Sequence, residues 1–494
     1  MSVVVILDGL SGERERLSAY VLRTLLTTLG LRHEILAEPP AGLAGKAVIW
    51  YGRRPAQVAA PAIVEVASFP PPSPDAPSRS IVREEDGRRI AILGPLRAVS
   101  GKTLCRDAVS RAPVVAIEGS HAQIGADLVA TAGIWLTGGD ETRASRDSFE
   151  RVQGATLPRA AGGLIRTPGV TDLMMLLWDA LRRAAAAAGL SLDRAPAWPP
   201  GRDFAVLLSH DVDLWRKRSA RQFAKELLRS VAHPLRLGSV ARAFLRGADP
   251  WSGLEGIAAL EEQRGMHSTF FVLAGRPDLQ LGGLHVVNSY RAAPAEVGAT
   301  LRAVAERGCE VALHGSFDSF RSAEALAGER RDVESLSGQP VLGCRQHFLR
   351  FDRPATWRAQ IDAGLTYDAT LGYHDADGYR AGFSFPFRPF AGEELPILAL
   401  PLVVMDGALR ERQGLDAEAA WRVVERYLER TRADGALLSL LWHNHYFCDL
   451  DAPGYRGVYE RALDWIRDHR GWGASAREIS EWWTRRAAAQ GKSS

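Results

Sequence analysis

From residue 204 onward the sequence repeats one arrangement, a short apolar run that stops in polar or charged residues and is followed by a helical stretch. The runs are "FAVLLSH", "HSTFFVL", "CEVALHG", "PVLGCRQH", "TYDATLG", "ELPILALPLV" and "ALLSLLWH". Helical periodicity lies between them, for instance at 295–307, 416–431 and 456–468. Strands this apolar must be covered on both faces, which selects a parallel sheet wrapped by helices. About seven such strands predict a β/α barrel, with the polar residues at the C-terminal strand ends facing one shared mouth. Acids at the end of a buried strand are costly unless they bind something.

The 494-residue length exceeds one comfortable core, so a second domain is expected ahead of the barrel. "VVVILD" at 3–8 reads as a strand, 12–29 as an amphipathic helix ending at Gly30, and "HEILAE", "KAVIWYG" and "RRIAILG" as further strands. A Pro/Ser-rich loop at 69–79 separates the last two. "TPGVTDLMMLLWDALRRAAAAAGL" gives a long helix that leads to a linker at 193–203. The expected division is an N-terminal α/β domain with a helical linker region at 1–195, a barrel at 196–484 and a flexible tail at 485–494.

A net charge of +3 gives no reason to expect nucleic acid as a partner. Cys105, Cys309, Cys344 and Cys448 are scattered without CxxC spacing, so neither a thiolate zinc site nor a disulfide scaffold is indicated. The first twenty residues carry charge where a secretory segment would be apolar, and no run is long enough to span a bilayer, so the expectation is a cytoplasmic protein with no membrane span. Neither a phosphate loop nor a dinucleotide glycine fingerprint is present. Oligomeric state is not written in the sequence.

Chemistry is expected in the C-terminal part, because only His33 and His121 precede residue 201 and the other ten histidines follow. In "SHDVD", residues two apart share a face, so Asp211 and Asp213 point into the mouth and His210 points away. Two carboxylates this close call for a cation or an arginine. "LHGSFDSF" offers His314 and, four residues on, Asp318; a helical turn there would aim both at one metal. With Asp213 they form a mixed oxygen and nitrogen set suited to Zn, Fe, Co or Mn. "GCRQHF" puts Arg345, which could orient Asp211, on the same face as His347. "LLWHNH" ends a strand in His443, a candidate general acid, with His445 as the alternative.

The segments "LLSHDVD", "LHGSFDSF", "RQHFLRF" and "LLWHNH", in this order and spacing, resemble the motifs of the polysaccharide deacetylase family (NodB homology, carbohydrate esterase 4), in the branch with an uncharacterised N-terminal domain. The resemblance covers about 200–480 and implies a distorted (β/α)7 barrel that removes acetyl groups from N-acetylated or O-acetylated sugars or glycans with a divalent metal, most often zinc, with cobalt, iron or manganese as alternatives. It implies Asp211 as catalytic base, Asp213 and His314 as metal ligands, Arg345 as the residue that orients the base and His443 as the acid. The family's second motif has histidine where this chain has Asp318. Asp318 is therefore expected as third ligand, with His347 as its alternative. A catalytically silent carbohydrate-binding barrel and a hydrolase of a non-sugar amide are the competing expectations.

Three further features are left over. Residues 216–246 hold nine basic residues and one acid, which reads as a solvated helix face or as a rim that attracts an anionic glycan, a phosphorylated sugar or a membrane surface. The aromatic stretch 366–390 suits a substrate-lining loop in which Asp368 or His374 supplies hydrogen bonds. Asp406, after "PLVVM", is a rim acid without an assigned role.

Overall fold

The computed structural model describes residues 2–491 except positions 41, 53, 56–58, 74–77, 143, 219–222, 225, 229, 231–236, 246–248, 282–283 and 291. Two nine-stranded sheets organise it.

The first sheet contains β1 (Val3–Leu7), β2 (His33–Leu36), β3 (Ala47–Tyr51), β4 (Ala62–Val66), β5 (Arg79–Arg83), β6 (Arg89–Ile92), β7 (Lys102–Asp107), β8 (Pro113–Glu118) and β9 (His121–Ile124). Their order is β2-β1-β3-β4-β9-β8-β7-β5-β6. The half from β2 to β9 is parallel and the half from β9 to β6 antiparallel. The apolar repeat of 12–29 forms the helix Gly12–Leu29, closed by Gly30 at φ 78°, a left-handed cap that favours glycine. Of the antiparallel half only β6 was legible in the sequence; β5 and β7 mix charged residues with short apolar runs, and β9 has only four residues.

The second sheet is the predicted barrel. Its strands are β10 (Phe204–Val212), β11 (Thr269–Leu273), β14 (Glu310–Gly315), β15 (Gly343–Gln346), β16 (Tyr367–Asp368), β17 (Leu398–Ala399), β18 (Val404–Met405), β19 (Leu437–Leu441) and β20 (Gly471–Ala474); a small hairpin, β12 (Leu279–Leu281) and β13 (Leu284–Val286), lies outside it. All pairings are parallel, in the order β17-β16-β15-β14-β11-β10-β19-β18, with β20 against the first half of β10. One stretch of chain closes the ring. Residues 398–399 pair with β16 and residues 404–405 with β19, and between them Leu402 N donates to Leu371 O at 2.9 Å and Val403 N to Ser439 O at 3.3 Å. The seven apolar runs thus supply seven barrel positions, and the split sixth strand is the distortion.

One crossover lacks its helix. Residues 370–397, between β16 and β17, run as irregular chain against the N-terminal region. Helix Gly169–Ala187 of that region docks on the segment: Val170 N donates to Gly382 O at 2.7 Å, and Ser384 N donates to Thr171 Oγ1 at 3.1 Å. Phe383, Phe385 and Phe387 are buried in an apolar cluster that also contains Val3, Leu25 and Leu173. This corrects the substrate-lining expectation for 366–390, most of which is packing between the two sheets. Asp368 is likewise structural, accepting from Trp357 Nε1 at 3.2 Å and Gln360 Nε2 at 2.9 Å.

The tail expectation is also corrected. Residues 485–491 continue helix Ala476–Gly491, and buried Arg486 donates to Thr27 O at 2.9 Å and Pro196 O at 2.7 Å. Positions 492–494 lie outside the described residues. The four cysteines are buried and unpaired. No helix among the described residues is long and apolar enough to cross a membrane.

Candidate active site and metal centre

The C-terminal ends of β10, β14, β15, β18 and β19 converge on a cleft of about 240 Å³ lined by Asp211, Asp213, His314, His347 and His443. At its base Arg345, fully buried, donates through Nη1 to Asp211 Oδ1 at 2.8 Å and through Nε to Ala369 O at 3.0 Å. Its guanidinium also lies 4.3 Å from the Phe271 ring centroid. The fork leaves Asp211 one fixed orientation, with Oδ2 facing His314 Nε2 at 3.8 Å.

Asp213, His314 and His347 offer ligand atoms that all lie within 4.8 Å of one another. Each is prepared to bind a cation. His314 Nδ1 is 2.9 Å from Arg345 O, so that nitrogen carries the proton and Nε2, 3.2 Å from Asp213 Oδ1, presents its lone pair to the cleft. His347 Nδ1 and Asp213 Oδ1 are buried without hydrogen-bond partners, which costs free energy unless a ligand completes them. Burial pushes the His347 ring down to about 4, so it is neutral at pH 7. Burial works against the charge of Asp213, but His314, 3.2 Å away, and the protonated His443 outweigh it and hold the carboxyl far below its usual range. These donors fit the divalent metal that the sequence implied.

Asp318 does not join them. After β14 the chain makes a tight turn and a short 3-10 segment, Ser319–Arg321, so the helical i, i+4 geometry never forms. The Asp318 side chain is 69% exposed and pairs with Arg350 Nη1 at 3.0 Å. This corrects the expected placement of Asp318: the third residue of the cluster is His347, the alternative. It arrives there on an unusual backbone, since Phe348 and Leu349 follow it at φ 59° and 55°, a left-handed conformation rare outside glycine and characteristic of functional sites.

His443 stands opposite, its Nε2 3.6 Å from Asp213 Oδ2. Asp406, wholly buried, accepts from His443 Nδ1 at 2.6 Å and from its backbone N at 2.6 Å. Burial opposes charging of the ring, but Asp406, then Asp213 and Asp211, overcome it and raise His443 to about 10. Burial lowers His445, the alternative acid. The sequence had shown the signal for Asp406, an acid ending an apolar strand, without its partner. His210 faces away, as expected, and is fixed by Trp442 O at 2.6 Å and Glu261 Oε1 at 2.8 Å.

No family model matches the sequence, and no curated protein does. Among solved structures, a Mycobacterium smegmatis protein described as a polysaccharide deacetylase is 18% identical with a TM-score of 0.41, the match covering 60% of this chain and 96% of that one. A Pseudomonas aeruginosa PAO1 protein of the same description gives 18% and 0.40, covering 59% and 95%. The peptidoglycan deacetylase PdaC of Bacillus subtilis gives 14% and 0.32, covering 59% and 97%. Likeness at this distance decides no chemistry.

The far wall of the cleft comes partly from the N-terminal region, which the sequence did not foretell. Arg151 lines it, donating through Nε to Asp147 Oδ2 at 2.8 Å and through Nη1 to Phe348 O at 3.0 Å, beside the strained turn. His374 shares this wall and lies 3.3 Å from Asp147 Oδ2. The segment is clamped to the barrel by buried Glu141, which pairs with Arg380 at 2.9 Å and Arg353 at 3.1 Å.

Proposed function

We propose that this cleft is the active site of a metal-dependent deacetylase that removes acetyl groups from an N-acetylated, or O-acetylated, sugar or glycan. The carrying observation is that three convergent metal-type donors lie between a carboxylate held by an arginine and a histidine held by a buried carboxylate. Asp213, His314 and His347 are the proposed ligands. A divalent ion there, zinc before cobalt, iron or manganese, would polarise the acetyl carbonyl and acidify a water. Asp211 would take the proton of the water that attacks the carbonyl carbon, and Arg345, 2.8 Å from Asp211 Oδ1, would keep its carboxylate aimed. His443, on the other side, gives its proton to the departing nitrogen as the C–N bond breaks, leaving acetate and a free amine. Asp406 accepts the Nδ1 proton and stabilises the imidazolium, which leaves Nε2–H toward the cleft as the donor.

Elemental analysis of the purified protein beside Asp213→Ala, followed by acetate release from N-acetylated oligosaccharides, tests this. Near one metal per chain, lost in the variant together with acetate release, supports the hydrolase. A wild-type protein that takes up no supplied metal leaves the silent carbohydrate-binding barrel.

A further inference from the structure

The basic stretch 216–246 lies in large part outside the described residues and carries no assignment. A polar group behind the cleft does. The inner face of β10 presents Asp211, while its outer face presents His210, which no step of the proposed reaction uses. His210, Glu261, Ser268 and Tyr459 are all fully buried. His210 Nδ1 lies 2.6 Å from Trp442 O, and its Nε2 lies 2.8 Å from Glu261 Oε1. Glu261, near the end of helix Leu254–Glu262, also accepts from Tyr459 Oη and from Ser268 Oγ, each at 2.6 Å. Both carboxylate oxygens are thus occupied, and the imidazole is held at both nitrogens. A carbonyl only accepts, so Nδ1 carries a proton. A buried ionisable pair adds little stability over apolar side chains of the same volume; what it fixes is an arrangement.

The arrangement here is that of one peptide unit. The ladder between β10 and β19 ends at Ser209 and Leu441, and Trp442 N donates to Ser209 O at 2.9 Å. The next peptide, Trp442–His443, is held at both ends by side chains, its oxygen by His210 and its N–H by Asp406, each at 2.6 Å. The short segment Asn444–Phe447 that follows is held from the same side. Phe447 lies 5.8 Å from the His210 ring and 5.3 Å from that of Tyr459. The direction in which the His443 side chain leaves the backbone is therefore set from the strand that carries Asp211, by the residue immediately before it.

We infer that His210, held by Glu261, is a positioning residue for the general acid: it locks the Trp442–His443 peptide so that His443 Nε2 faces the departing nitrogen across from Asp211. The assignment rests on the proposed deacetylase reaction and gives it a leaving-group signature. An amide nitrogen has to take a proton as its C–N bond breaks, whereas an aryl oxide leaves unprotonated as its C–O bond breaks. Displacing the acid by about 1 Å costs about 10²-fold on the first reaction and little on the second.

The test compares an N-acetylated oligosaccharide with p-nitrophenyl acetate on the metal-loaded full chain. His210→Phe keeps a ring against Phe447 and Tyr459 but leaves Glu261 buried without its partner, so it is combined with Glu261→Gln. Glu261→Gln alone is the conservative control, because its amide can donate to Nε2 while the Nδ1 proton stays on Trp442 O. In the double variant kcat on the amide should fall about 30-fold or more, while KM, metal content and aryl ester hydrolysis stay within about threefold. The control should lose less than about threefold on either substrate. His443→Ala should show the same contrast between substrates, and combining it with the double variant should cost nothing further on the amide. Equal loss on both substrates, no loss on the amide, a control as impaired as the double variant, or losses that add to that of His443→Ala overturn the inference in an active enzyme. A wild type that releases acetate from neither substrate overturns the deacetylase reading, and the inference with it.

Discussion

Asp406 grips His443 twice, through the ring Nδ1 and through the backbone N, each at 2.6 Å. One carboxylate therefore sets the position and the charge of the histidine that faces Asp213.

Replacing Asp406 by Asn keeps the shape and removes the charge. The His443 pKa is raised above its ordinary 6.5 to about 10, against the effect of burial, chiefly by Asp406, so the ring is protonated through neutrality and loses its proton as pH rises through about 10. Stability from the pair is full below pH 6.5 and is lost over the same upper range. A cation between the carboxylates lowers this limb in the loaded protein. In Asp406→Asn the alkaline limb of kcat should move to lower pH by more than one unit, and kcat should fall about 10²–10⁴-fold. A pH–rate profile measures both, and an unmoved limb refutes the assignment of His443 as acid.

The third ligand is tested by two substitutions read for metal content. His347→Ala should weaken metal binding by more than about 100-fold, beyond what loss of a supporting residue costs. Asp318→Asn should leave metal content and activity within about twofold, as for an exposed ion pair. The reverse pattern restores Asp318 to the site.

Metal uptake should release protons and weaken in acid. Burial disfavours the charged His314 ring, but Asp211 and Asp213 raise its pKa above the ordinary value, so a proton on Nε2 competes with the cation. Isothermal titration in buffers of different ionisation enthalpy reads the proton count. A pH-independent affinity contradicts this account.

Arg345→Met leaves the Asp211 carboxylate buried without its cation. The expected cost is about 3–5 kcal/mol in urea unfolding of the metal-free protein. Adding Asp211→Asn should return part of it, because the pair then carries no uncompensated charge. A single variant as stable as wild type excludes the arginine as the partner that holds the base.

Arg151→Ala removes the wall that the N-terminal region contributes. KM should rise by about fivefold or more while kcat changes less, since the residue lines the cleft while its own hydrogen bonds go to Asp147 and Phe348 O and not to Asp211 or His443. A fall in kcat alone would mean that Arg151 acts through the turn at Phe348.

The barrel was legible because its strands are covered on both faces and leave uninterrupted apolar runs, and because polar residues at their ends have few reasons to be there. "SHDVD" displayed Asp211 and Asp213 by alternation alone. Asp318 was misplaced because four-residue spacing places two side chains together only on a helix, and the chain after Gly315 turns instead. His347 reaches the cluster through two left-handed residues that no sequence pattern announces.

By itself the sequence determined the parallel barrel, the mouth and most of the chemical groups in it, since hydrophobic periodicity and strand-end polarity are local properties. Tertiary structure decided the partnerships: Asp406 with His443, Arg151 beside Phe348, and helix Gly169–Ala187 against residues 382–384. These contacts join residues tens to hundreds of positions apart, and only the packing of one shared core brings them within hydrogen-bonding distance.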